Sequence, residues 1–191
     1  MNVRLVQAFK ESQLRTLTDL TGVYALCDLD ETPIYVGKST DGIRTRVRRH
    51  LTSARSDVIA NRQIDVWEIA FVWAWEMDDP ELLGILEGHL MHKFNATSPL
   101  VNGDVTPNPG RLRFRLPDRV RVQVIPEEEI VIRRDPAMRF PRQIQHFNQL
   151  VDYVLNTQDK PHLRQAVSVY LERLNRYCQS FLDSGRSSRQ R

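Results

Sequence analysis

Residues 64–77 (Ile-Asp-Val-Trp-Glu-Ile-Ala-Phe-Val-Trp-Ala-Trp-Glu-Met) alternate with a period of two, a spacing that suits a strand and not a helix. Trp67, Ile69, Phe71, Trp73 and Trp75 fall on one side, and Val66, Ala70, Val72 and Ala74 on the other. Both sides are apolar, so this strand is expected at the centre of a sheet that is covered on each face. A row of tryptophans can serve as a base-stacking platform, but a covering helix is the commoner reason for one. The chain has 191 residues, 41% of them hydrophobic, which is enough for a proper core in one domain or in a small domain with an extension.

Upstream of this strand, Gly22-Val23-Tyr24 opens an apolar run to Leu29, Asp30-Glu31-Thr32-Pro33 reads as a turn, and Ile34-Tyr35-Val36 reads as a return strand. A fold about the Leu29–Asp30 bond sets Tyr24 directly opposite Tyr35, with both phenols on one face. Residues 3–20 suit a helix or two short turns. Asp41 is the expected cap of a helix over residues 42–55, whose stripe Ile43, Val47, Leu51 and Ala54 faces the core. Arg46 and His50 lie together on one flank of that stripe, and Arg44, Arg48 and Arg55 line the other. A further helix over residues 81–94 sets Glu87 in line with Leu83, Leu90 and Phe94. A carboxylate in such a row calls for a cation or hydrogen bonds, which a rim position or a simple ion pair supplies. Pro99-Leu100-Val101-Asn102 closes the unit.

The expected fold class is α+β, with a small, mainly antiparallel three-stranded sheet flanked by helices. A domain boundary is expected at 103/104, where loop residues cluster. Beyond it, Arg111 to Ile132 reads as β-rich, and helices follow from Pro141 and from Pro161. Apolar positions of these helices include Ile144, Phe147, Leu150, Leu163, Leu171 and Phe181. Residues 104–183 would form an extension serving DNA specificity or oligomerisation, and 184–191 a disordered basic tail.

Net charge is +3 but uneven: residues 41–62 carry six arginines against two aspartates, and residues 63–100 carry one lysine against seven acids. The basic stretch favours polyanions and salt-sensitive binding, although a solvated helix face is the commoner cause of such a run. Cys27 and Cys178 have no partner motif, which suits a reducing, cytoplasmic compartment. No apolar run reaches the length of a membrane span, and no signal peptide is evident.

The ordered set Gly22-Val23-Tyr24, Tyr35-Val36-Gly37-Lys38, Arg46, His50, Glu87 and Asn102 resembles the catalytic module of the GIY-YIG nuclease family over about residues 18–103. Valine replaces isoleucine in both triplets, and the longer loop before Pro99 leaves Asn95 as the alternative to Asn102. The resemblance implies an endonuclease that hydrolyses phosphodiesters, with a restriction or defence role favoured and repair or mobile-element roles open. A DNA-binding or assembly protein with an idle nuclease fold is the rival reading. The family pattern implies that Tyr24 acts on the attacking water, directly or through a relay, and that Lys38 and Arg46 depress its pKa. Tyr35 would order the water or bind a phosphate oxygen, Arg46 would stabilise transition-state charge, and His50 would orient Tyr24. Glu87 would hold a single Mg²⁺ or Mn²⁺ per active site, while a zinc site at His89 and His92 lacks a third ligand. DNA is the expected partner, bound by Arg44, Arg48, Arg49, Arg55, Arg111 and Arg113, with the C-terminal helices a candidate homodimer surface.

Overall fold

The computed structural model describes residues 3–53, 56–102 and 110–187. The sheet has four strands rather than three. β1 (Gly22–Cys27) and β2 (Pro33–Ser39) form the hairpin, β3 (Phe71–Glu76) pairs with the other side of β1, and β4 (Val120–Gln123) pairs with β3. All pairings are antiparallel, in the order β2-β1-β3-β4, so β3 is an interior strand as its two apolar faces require. The helices are α1 (Val3–Leu14), α2 (Ile43–Thr52), α3 (Asp57–Ala60), α4 (Pro80–Asn95), α5 (Glu127–Arg134), α6 (Pro136–Asn156) and α7 (Pro161–Ser187). Among the described residues no helix is long and apolar enough to cross a membrane. Cys27 is buried and Cys178 half-buried, both as free thiols.

The hairpin register differs from the expected one by two residues. Tyr24 pairs with Gly37 and Tyr35 with Leu26. Asp28 is the cause: its Oδ1 accepts from the amides of Asp30 and Thr32 at 2.9 and 2.8 Å, and Glu31 takes the left-handed conformation at φ 60°. A shift of two keeps side-chain parity, so the two phenols still share a face. The alternating segment is strand only from Phe71. Residues 64–70 instead turn, with the Trp67 amide donating to Asp65 Oδ1 at 3.1 Å and the Glu68 amide to Asp65 O at 3.0 Å. Similarly, Arg111–Leu116 forms no ladder although its burial alternates, the arginines being exposed and Leu112, Phe114 and Leu116 half-buried. The expected β-rich stretch therefore reduces to β4, followed by helix.

Helix starts follow cap chemistry. α2 begins after Gly42 (φ 101°), and Asp41 does not cap it but accepts from Ser39 Oγ at 2.8 Å. α4 has Asp79 as cap and Pro80 in its first turn. α6 starts at Pro136, because Asp135 caps it by accepting from the Ala137 amide at 2.9 Å, so Pro141 lies inside the helix and not before it. α7 continues to Ser187, past the tail start expected at Ser184; residues 188–191, Ala54 and Arg55 lie outside the described residues, as does the expected boundary loop over 103–109.

Two helices cover the sheet from opposite sides. α2 lies over the face that carries Tyr24, Leu26 and Tyr35. α4 lies over the face of Trp73 and Trp75, whose rings meet Phe94 at 5.7 and 6.0 Å. The tryptophans thus belong to the packing under a helix. Ile144 and Leu171 stand 45% and 59% exposed, contrary to their assignment to apolar helix faces. The α6–α7 pair is seated on a buried ionic layer: Arg139 pairs with Glu68 and with Asp30 (2.5 Å), Arg173 with Asp28, and Gln143 Nε2 donates to Glu68 at 3.1 Å. Burial lifts the Glu68 pKa to about 7 against the pull of Arg139.

Candidate active site

The motif glycines are required by close approach. A Cβ on Gly22 would stand 2.2 Å from the Trp75 carbonyl oxygen, where β3 passes, and one on Gly37 would stand 2.6 Å from Tyr24 Oη. Tyr24 is paired with Gly37 across the hairpin, so its ring can lie over the bare backbone and reach toward the outer edge of β2. Tyr35 follows on the same face, with the two ring centroids 6.3 Å apart.

α2 brings Arg46 and His50 over these rings because its apolar stripe (Ile43, Val47, Leu51) is locked into the core. Tyr24 Oη and His50 Nε2 are 2.7 Å apart, and His50 Nδ1 lies 2.5 Å from Ser56 Oγ. Burial, reinforced by Arg46 and Arg49, lowers the His50 pKa to about 4, so the imidazole is neutral at physiological pH. Burial raises the Tyr24 pKa; Tyr35 adds to the rise, and Arg46 opposes it without cancelling it. Tyr35 is also raised by burial. The expected depression of Tyr24 by Lys38 and Arg46 is therefore overturned: desolvation of a fully buried phenol outweighs one cation, and Lys38 is engaged elsewhere. Its Nζ makes a 3.0 Å ion pair with Glu87 Oε2.

Lys38 leaves β2 on the α4 side, opposite to Tyr35 by parity, and so meets Glu87. The two halves of the site join around the edge of β2 in a cleft of about 370 Å³. It is lined by Tyr24, Tyr35, Gly37, Lys38, Ser39, Thr40, Asp41, Arg46 and Glu87. Within it, Arg46 Nε is buried and finds no hydrogen-bond partner among the described residues. Two carboxylates line the cleft, Glu87 in its ion pair with Lys38 and Asp41 in its bond with Ser39 Oγ, with the hydroxyls of Ser39, Thr40 and the tyrosines around it. This all-oxygen set of carboxylates and hydroxyls fits a hard ion that keeps most of its water, as Mg²⁺ does. Among the described residues no group of three or more His, Cys, Asp or Glu is placed to hold a metal.

The other expected site residues are dispersed. His50 stands behind Tyr24 and does not line the cleft. Asn102 Oδ1 accepts from the Val36 amide at 2.9 Å and its Nδ2 donates to Val36 O at 2.5 Å, clamping β2 beside Tyr35. Asn95 instead accepts from the Leu100 amide at 3.0 Å, within its own loop. Arg44 is tied to Asp19 (2.5 Å) and to Leu17 O, and Arg48 to Glu11 (3.0 Å), so both fasten α2 to the N-terminal segment. Arg49 is half-buried, Arg111 and Arg113 are exposed outside the cleft, and Arg55 lies outside the described residues. Ser39, Thr40 and Ser56 were not singled out from sequence, and Asp41 only as a helix cap. For Ser56 the only signal is a hydroxyl residue six positions after His50.

A tyrosine pair, an arginine donor and the Lys38–Glu87 pair thus surround a small polar cleft on a hairpin-helix-strand-helix frame. Residues 20–99 match the family model described as the GIY-YIG catalytic domain, and the rest of the chain is unmatched. That segment is therefore similar to the GIY-YIG catalytic domain, which indicates a family of nucleases. No curated protein matches the chain.

Proposed function

We propose that this protein is a divalent-metal-dependent DNA endonuclease that hydrolyses phosphodiester bonds in the cleft between β2, α2 and α4. The observation that carries this is the convergence of Tyr24, Tyr35, Arg46 and the Lys38–Glu87 pair on one phosphate-sized space. Arg46 Nε, buried without a partner, is a donor suited to a phosphate oxygen, and its planar fork can bind two oxygens at once. Glu87 would hold the metal. When bound, the ion supplies charge compensation at the leaving 3′ oxygen.

Because burial holds Tyr24 as a neutral phenol, it works as a relay and not as a standing phenolate. Its hydroxyl passes a proton toward His50 Nε2 as its oxygen takes one from the attacking water. A phosphate in the cleft offsets the charge of Arg46, one of the causes that keep His50 acidic, so substrate makes the imidazole a better acceptor. Tyr35 orders the water, and Lys38, displaced from Glu87, turns to a phosphate oxygen. Asn102 serves by holding β2, and with it Tyr35, in register.

DNA approaches from the side of Lys38, Arg46 and Arg49, while Arg44 and Arg48 are held by acids. The test is a plasmid-nicking assay with and without Mg²⁺ on wild type, Arg46→Ala and Glu87→Gln. Wild type should nick only with the metal, and both variants should remain folded and bind DNA without cutting. Metal-dependent nicking by either variant at the wild-type rate overturns the assignment.

A further inference from the structure

We infer that Ser56 is a positioning residue of the active site: its hydroxyl accepts from His50 Nδ1–H and so leaves Nε2 as the lone-pair nitrogen that receives the Tyr24 proton. This rests on the nuclease reading above for its role in cleavage, though not for its structural content. Ser56 is 2% exposed and stands at the N-cap of α3, where a serine ordinarily accepts from an amide of the first turn. Here it makes no such bond. Its oxygen is directed at His50 Nδ1, 2.5 Å away, and the other imidazole nitrogen faces Tyr24 Oη at 2.7 Å.

The chain Ser56–His50–Tyr24 runs from the interior to the cleft. A neutral imidazole carries one N–H, and the partner of one nitrogen decides which nitrogen keeps it. With Nδ1–H donated to Ser56, Tyr24 donates to Nε2 and turns its lone pairs to the cleft, where water can be deprotonated. With the opposite tautomer, Nε2–H would donate to Tyr24, whose own proton would then face the attacking water. In the step itself the water proton moves to Tyr24 Oη, the Tyr24 proton moves to Nε2, and the imidazolium formed holds Ser56 and Tyr24 on its two N–H groups. No electrons are exchanged, and the proton returns to solvent on product release.

The experiment compares wild type with Ser56→Ala and Ser56→Cys, the latter nearly equal in size but a poor hydrogen-bond acceptor. Nitrogen-15 NMR of the His50 ring, read without substrate, should show the Nδ1–H tautomer in wild type and a loss of that preference in both variants. The single-turnover rate constant should fall roughly 10- to 100-fold with DNA affinity unchanged, taking as a guide the range for partners that orient a metal-ligating histidine. An Nε2–H tautomer in wild type, or an unchanged tautomer in both variants, overturns the inference. So does full activity in Ser56→Cys with loss in Ser56→Ala, which would mean packing alone. Should wild type cut no DNA, the nuclease reading fails, while the ring spectrum still decides the Ser56 contact.

Discussion

Replacing Gly37 by alanine tests whether the Tyr24 hydroxyl is held where cleavage needs it. The added Cβ would stand 2.6 Å from Tyr24 Oη and 2.8 Å from Cζ, against an ordinary contact that begins near 3.4 Å, so the phenol must retreat by about 0.8 Å. Tyr24 is fully buried and its oxygen already sits 2.7 Å from His50, so the retreat either breaks that contact or pushes the histidine from its seat. Overpacking of this kind costs about 1–3 kcal/mol. A displacement of about 1 Å in a reacting group costs on the order of 100-fold in rate. Urea denaturation should show a folded, moderately destabilised protein, and single-turnover cleavage of duplex DNA with Mg²⁺ should fall about 100-fold. Gly84→Ala is the control: the nearest atom to its Cβ is Lys38 Nζ at 4.0 Å, so neither fold nor rate should suffer. A Gly37→Ala variant that cuts within threefold of wild type would refute the reasoning.

Two further outcomes follow from buried charge. Unfolded His50 protonates near 6.5 and folded His50 near 4. The unfolded chain therefore binds the extra proton between those values, and stability falls as pH drops through that window. The loss is about 3 kcal/mol in all, and it is read as the difference in pH slope between wild type and His50→Gln in urea titrations from pH 7 to 4; equal slopes would contradict it. Arg173→Met removes the nearer of the two buried arginines at Asp28, leaving Arg139 at 3.8 Å, and should cost up to about 3 kcal/mol, measured by chemical denaturation, where a loss below about 1 kcal/mol would show the contact to be dispensable.

The residues of the site were legible in the sequence where local periodicity governs them. Parity put Tyr24 and Tyr35 on one face even though the pairing register was two residues off, because Asp28 gathers amides that an apolar run does not advertise. Helical spacing likewise set Arg46 and His50 together on one flank of the α2 stripe, although His50 is as buried as the stripe itself. What could not be read depends on distant partners. Residues 64–70 alternate like a strand yet turn, since Asp65 and Glu68 are bonded to Arg142 and Arg139, over seventy positions away. Arg44 and Arg48 looked free for DNA until Asp19 and Glu11 came beside them. β4 is four residues among arginines and prolines, too short to stand out from its flanks.

Because the outermost strand of the sheet is supplied from beyond the matched segment, the catalytic half is not a portable cassette. A graft ending at Asn102 would strip the cover from one whole side of β3 and leave Asp28, Asp65 and Glu68 as stranded anions in an apolar setting. Chimeras that trade target preference between nucleases of this kind should therefore be joined after α7, where the backbone has already returned everything the sheet needs.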